Sequence, residues 1–133
     1  MTDSVLQKYT TRKPEDTGEA GLEADDDLGA FGWLRGLRER AVMLELRQKD
    51  GNIVAIGYAY IEKLEFDPSQ GITLHALGKV IKIQGRNLNT EVRPNVRLFQ
   101  GLTRHRVPWV QEADEPARLD ASPVGTVIER IVV

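Results

Sequence analysis

Cysteine is absent from this sequence of 133 residues, and histidine occurs only at His75 and His105. The absence of cysteine excludes a disulfide framework, thiolate-bound zinc or iron–sulfur clusters, and a cysteine nucleophile. No apolar run approaches the roughly 20 residues that a membrane-spanning helix needs. The N-terminus also lacks the basic and apolar regions of a secretory signal. We therefore expect a cytoplasmic protein that binds no metal or cofactor and does not contact a membrane.

Charge is distributed unevenly along the chain, although the formal net charge is only −2. Residues 1–29 hold eight acidic and three basic side chains, whereas residues 30–133 carry a small excess of basic ones. The excess is greatest in residues 79–106, where seven Lys and Arg side chains accompany a single acid, Glu91. This asymmetry fits an anionic partner, and it equally fits a solvated surface with a solubilising tail.

Composition divides the chain into two parts. Residues 1–27 are acidic and lack sustained apolar periodicity, which predicts a disordered tail. Residues 28–133 are predicted to form a single domain that ends in an irregular C-terminal extension, since one domain is the expectation at this length.

A helix is predicted at the start of this domain. Leu28, Phe31, Leu34 and Leu37 recur at helical spacing, and the three aspartates at 25–27 suit a helix N-terminus. Three glycines within the same stretch each lower helix stability by about 1 kcal/mol. We therefore expect this helix to be held by docking against an end of the β structure.

Alternating apolar residues from Ala41 onward predict antiparallel strands. The pair Asp50-Gly51 is a strong hairpin signal because both residues tolerate a positive φ. The strand that follows is long and contains Gly57, which permits the sharp bend that a small barrel requires. Residues 72–77 and 80–84 are predicted to form two further strands.

The segment after Pro94 allows more than one prediction. Val96, Phe99 and Leu102 fit a helical turn that Pro94 would begin, whereas Val96 and Leu98 fit an edge strand equally well. Further on, Pro108 should confine residues 107–112 to a short extended segment at an edge. A loop and a closing strand at the end of the chain complete the prediction.

This order of elements resembles the Sm/LSm family, and two motifs carry the resemblance. Residues 67–74, DPSQGITL, are similar to the end of the family's first motif, which also includes turn and bend glycines like Gly51 and Gly57. Residues 83–88, IQGRNL, are similar to its second motif. The resemblance spans roughly residues 28–90. It implies a mainly β fold in which an N-terminal helix precedes a strongly bent, antiparallel Sm-like β-barrel, with subunits paired through edge strands into a ring.

The resemblance also assigns roles to individual positions. It places Asp67 and Gly71 in the loop of the first motif, where Asp67 would orient the loop. Gly71 and Gln84 replace the Asn and Arg that contact RNA in the family, and neither offers the same hydrogen-bonding groups. RNA binding would therefore depend on a basic surface. The candidate nucleic-acid-binding residues are Lys82, Gln84, Arg86, Arg93, Arg97, Arg104 and Arg106.

Catalysis is not indicated by any motif. His75 has no glycine-flanked serine elbow to accompany it, and no phosphate-binding glycine loop occurs. Glu62, Glu65 and Asp67 are close in sequence, but their spacing fits a solvated edge as well as a pair of catalytic carboxylates. We predict that the protein is not an enzyme.

Two functional hypotheses follow. The first is a non-catalytic, homo-oligomeric Sm-like barrel that acts as a macromolecular binding or assembly module. In this hypothesis, residues 80–84 supply an edge that pairs with another copy of the chain. The alternative is an Sm-like protein that binds RNA through its basic surface.

Overall fold

The computed structural model describes residues 25–114 and 125–133. The predicted tail, residues 1–27, lies outside this part of the chain except for Asp25–Asp27. Within the described residues the chain forms nine strands and one short α-helix, named here in chain order. The strands are β1 (Asp25–Asp27), β2 (Gly32–Leu34), β3 (Met43–Arg47), β4 (Ile53–Gly57), β5 (Ile61–Asp67), β6 (Gly71–Ala76), β7 (Lys79–Arg86), β8 (Trp109–Gln111) and β9 (Val127–Val132), and the helix is α1 (Leu98–Thr103).

The strands form three sheets. β1 pairs with β2, the order β4-β3-β8 makes a three-stranded sheet, and the order β5-β6-β7-β9 makes a four-stranded sheet. All pairings are antiparallel except that of β3 with β8, which run parallel. The mainly β character is therefore confirmed.

The prediction of a closed Sm-like barrel is wrong, because none of the three sheets in the described chain closes on itself. The long strand expected to run through Gly57 is interrupted by a one-turn 3-10 helix, Tyr58–Tyr60. Tyr58 turns inward there, and its buried hydroxyl donates a hydrogen bond to the Val107 carbonyl at 2.6 Å. The two halves of the strand, β4 and β5, consequently belong to different sheets.

The predicted N-terminal helix is also wrong, since its residues form the β1–β2 hairpin. Asp25 lies opposite Leu34, and the turn between the strands contains Gly29 at φ 88°. The apolar stripe does not share one environment: Phe31 is fully buried, whereas Leu37 is 89% exposed. A glycine-rich sequence gains little from helix formation, so tertiary packing of Phe31 outweighs the helical spacing.

Residues after 90 are integrated into both larger sheets. β8 lies beside β3, and β9 lies beside β7, which confirms the extended segment and the closing strand. Of the two alternatives after Pro94, a helix is formed, but it begins at Leu98 rather than at Pro94, and Val96 instead makes an isolated bridge with Arg93. Because β6 pairs with one side of β7 and β9 pairs with the other side from Lys82 onward, residues 80–84 do not form the free edge that we predicted.

The inner faces of the sheets and α1 share one hydrophobic core. Leu44 and Leu46 on β3 are fully buried, as their alternation predicts, and so are Ile72 and Leu74 on β6. Each such side chain contributes about 1.5–3 kcal/mol through burial. The other fully buried large side chains are Phe31, Ile81, Ile83, Leu98, Leu102, Val107, Val110 and Ile128.

No helix within residues 25–114 and 125–133 combines the length and the apolar character needed to cross a membrane.

Candidate nucleic-acid interface

A groove with a volume of about 470 Å³ lies between the loop of residues 34–40, the turn at Pro94 and α1. We call it the arginine groove. Among the described residues that line it, five are arginines and one is an acid, Asp26. Clustered charge of one sign in a concave surface concentrates the electrostatic potential and attracts counter-charges. The lining arginines are Arg35, Arg40, Arg93, Arg104 and Arg106.

Asp26 bridges two of these arginines from opposite segments. Its Oδ1 atom lies 2.7 Å from Arg35 Nε, and its Oδ2 atom lies 2.9 Å from Arg93 Nη2. Hydrogen bonds from Arg35 and Arg93 hold the pKa of Asp26 below its usual value of 3.8. The carboxylate is therefore ionised at neutral pH, and it occupies a position that an external anion would compete for.

Arg106 serves the groove as a positioning residue. It is buried, and its Nη1 atom donates hydrogen bonds to the carbonyls of Gly36 and Glu39, the latter at 3.0 Å. Its Nη2 atom donates to the Leu34 carbonyl at 2.5 Å. Three carbonyls satisfy a guanidinium that burial would otherwise penalise. Arg106 thus fixes the loop of residues 34–40, which carries Arg35 and Arg40.

Arg104 and Arg40 present the most available cations of the groove. Both side chains are exposed, and Arg40 donates only to the neighbouring Glu39 carbonyl at 2.9 Å. Arg104 makes no side-chain hydrogen bond or ion pair within the described part of the chain. Their guanidinium groups retain the paired N–H donors that suit a phosphate.

A shallower groove continues the same surface past Arg104. It is lined by Arg97 together with Asn89, Phe99 and Gln100. Arg97 is half-buried, and its Nη1 atom donates to the Asn89 carbonyl at 3.3 Å. Arg104 lines both grooves, so four of the predicted residues, at positions 93, 97, 104 and 106, lie on one surface.

The other three predicted residues lie elsewhere, on β7. Lys82 and Gln84 alternate with the buried Ile81 and Ile83, so they occupy the outer face of the four-stranded sheet. Arg86 ends the strand and forms an ion pair with Glu129, with 3.5 Å between Nε and Oε2. The structure therefore does not bring these residues to the arginine groove.

Asp67 and Gly71 form the turn between β5 and β6, away from both grooves. Asp67 Oδ1 accepts hydrogen bonds from the backbone N–H of Ser69 at 2.8 Å and from its hydroxyl at 2.7 Å. These bonds lower the pKa of Asp67. Gly71 is buried and gives the turn a backbone conformation with φ 94°.

Sequence reasoning missed Arg35 and Arg40. The signal was present, because Arg35, Arg38 and Arg40 fall within six residues. We assigned that run to the end of a docked helix, and the segment is instead a loop facing Arg93 and Arg104 from across the groove.

The histidines lie outside the lining of the arginine groove. His75 on β6 lies 3.0 Å from Glu65 on β5, and this hydrogen bond is the main cause that lowers the pKa of Glu65. His105 stacks on Tyr58, with 4.4 Å between ring centroids. Pairing on the surface of the four-stranded sheet accounts for His75, and packing against Tyr58 accounts for His105.

Comparisons with protein families, with curated protein sequences and with solved structures find no significant match to this chain.

Proposed function

We propose that this protein is a non-catalytic binding module that holds RNA by its phosphate backbone in the arginine groove. The observation that carries the proposal is the convergence of four exposed arginines, two from residues 35–40 and two from residues 93–104, on one concave surface. Guanidinium groups bind phosphate oxygens through paired N–H donors, and phosphate contacts supply most of the sequence-independent affinity for nucleic acids.

The chemistry of the lining supports binding rather than catalysis. Arginine remains protonated at all physiological pH values, so it cannot act as a general base. Trp33 packs beneath the groove, with the Arg106 guanidinium 5.7 Å from its ring centre. Its ring also lies against Gly101 of α1. The indole is thus used in packing, and recognition falls to the arginines and to the polar side chains of Asn95 and Gln100.

Fluorescence anisotropy with a labelled, single-stranded RNA of mixed sequence tests the proposal on the full chain. Each phosphate neutralised on a single strand contributes about −0.7 to the slope of log affinity against log salt concentration. Four arginine contacts predict a slope of about −3. The double variant Arg40→Ala/Arg104→Ala should reduce the magnitude of the slope by about 1.4 and weaken binding at low salt.

Lys63→Ala/Lys79→Ala is the matched control. It also removes two exposed cations, but these lie on the four-stranded sheet and do not line the arginine groove. Binding should be unaffected by this control. An equal loss of affinity in both double variants, or no binding by the wild-type chain at low salt, would refute the proposal.

A further inference from the structure

The outer strand of the three-stranded sheet, β4, has an unusual edge. Among the described residues, β3 is the only strand that pairs with β4, so one side of β4 presents backbone N–H and C=O groups without a strand partner. Such an edge is a template for pairing with another chain, and natural proteins normally protect it with charges, proline or bulges.

β4 has none of these protective features. The sequence from Gly51 to Ile61 contains no charged residue and no proline, within a chain of which 29% is charged. The register of β4 against β3 is unbroken. By contrast, the outer strand β5 carries Glu62 and Lys63 and has a register shift between Ile61 and Lys63. β4 therefore lacks the protection that β5 has.

β4 contributes apolar residues to the outward face around this edge, whereas Glu45 and Arg47 of β3 lie on the same face and form an ion pair with each other. Ile53 is 57% exposed and shares the outward face of the sheet with Ala55 and with Met43 of β3, which is 45% exposed. Beyond the end of the strand, Tyr60 is 59% exposed and its ring lies against Gly57. Exposed apolar groups that adjoin an unpaired edge mark an interaction surface.

We infer that β4 pairs antiparallel with β4 of a second copy of the chain, about a two-fold axis at Ala55. This register uses all five residues of the strand. It places the large, exposed side chain of Ile53 opposite Gly57 of the second copy. Gly57 has no side chain, so there is space for Ile53 next to Tyr60. It also places Val54 opposite Ile56 of the second copy. A two-fold interface uses the same surface twice, and an uncharged strand that sets a large side chain opposite a glycine in this register meets that requirement.

Sedimentation of the full chain without RNA, from micromolar to millimolar concentration, provides the first test. The average mass should rise from 14.9 kDa towards twice that value. Ala55→Glu places two like charges at the axis, beside Glu45 directly opposite on β3, and should keep the chain monomeric. Val80→Glu is the matched control: Val80 is also exposed, but it lies on β7 in the other large sheet. This control should still dimerise.

Cross-linking gives a second test, which can be interpreted even if a substitution at position 55 changes the stability of the fold. Residues directly opposite in an antiparallel pair have Cα atoms about 4.5–5.5 Å apart, within disulfide range. Because the chain lacks cysteine, Ala55→Cys should yield a disulfide-linked dimer under mild oxidation, far faster than Val80→Cys. A wild-type chain that stays monomeric throughout, a dimer that persists in Ala55→Glu, or equal cross-linking of the two cysteine variants would each overturn the inference.

Discussion

The carboxylate of Glu112 accepts a hydrogen bond from the backbone N–H of Ile131 at 2.6 Å. Its other oxygen accepts the backbone N–H of Lys49 at 2.9 Å. One buried side chain therefore links the turn after β3 to β9 of the four-stranded sheet. The two larger sheets, which share no ladder in the described chain, are joined here through the hydrogen bonds of one side chain.

Removing this link should destabilise the fold. Glu112→Ala leaves two backbone N–H groups without their acceptor, and each loss costs about 1–3 kcal/mol. We expect the free energy of unfolding in urea to fall by about 3 kcal/mol, and to fall less in Glu112→Gln, which keeps one acceptor oxygen. Exposed Glu62 provides the control, since Glu62→Ala should change stability by less than about 0.5 kcal/mol. Equal effects of Glu112→Ala and Glu62→Ala would contradict the role given to Glu112.

Asp26 should act as an internal competitor for the proposed RNA ligand. Asp26→Asn removes the charge that engages Arg35 and Arg93, so RNA affinity measured by anisotropy should increase at least threefold. Asp27→Asn makes the same change in charge one residue away, where the carboxylate accepts the N–H of Gly29 rather than an arginine. It should raise affinity much less. An Asp26→Asn variant that binds RNA no better than Asp27→Asn would contradict this competition.

The ion pairs of Asp26 should contribute stability in a defined pH range. Because its pKa is lowered in the folded state from the usual 3.8, the contribution is fully present above about pH 4. It is lost as the pH falls through the lower, folded-state pKa. The difference in unfolding free energy between wild type and Asp26→Asn should therefore be constant near neutral pH and should shrink in acid. This difference cancels the similar contributions of Glu65 and Asp67, whose pKa values are also lowered. A difference that grows in acid would contradict the assignment.

Substitution by alanine should lower the stability of the fold by different amounts at two glycines that have nearly the same φ. Gly71 has φ 94° and Gly51 has φ 97°. A Cβ atom at Gly71 would collide with the backbone oxygen of Ile83, whereas no described atom lies within 4 Å of one at Gly51. Gly51→Ala should cost about 1–2 kcal/mol for the left-handed conformation alone. Gly71→Ala should lower the free energy of unfolding, measured with heat or urea, by clearly more than Gly51→Ala does. Equal losses would contradict this prediction and would show that the turn shifts to accommodate the Cβ atom.

The strands were predictable because their signals are local. Leu44 and Leu46 alternate with charged neighbours, and the turn at Asp50-Gly51 follows at once. The helix prediction failed where spacing was ambiguous: Phe31 and Leu34 fit a helical stripe, yet a glycine turn at Gly29 forms a hairpin. Pairing between distant segments, such as β3 with β8, leaves no local pattern. For the same reason, closure into a barrel was not decidable from the order of elements.

The candidate site was predictable only in part. The basic bias of residues 79–106 includes Arg93 and Arg104, which line the groove, but a linear count cannot separate them from Lys82, which lies on a different surface. Arg35 joins them through tertiary contacts: Arg106, distant in the sequence, fixes the loop of residues 34–40, and Asp26 holds Arg35 beside Arg93. A tertiary contact of this kind is not visible in composition.

The parallel pairing of β3 with β8 has a consequence for the order in which the chain acquires structure. β3 and β4 are joined by a short turn, so their hairpin closes at little entropic cost, whereas β8 reaches β3 only after a long loop has been closed. During synthesis, the side of β3 that pairs with β8 therefore emerges from the ribosome long before β8 does. A nascent chain that ends before Trp109 exposes the unpaired backbone of β3 on that side, and it is most prone to aggregation in this interval.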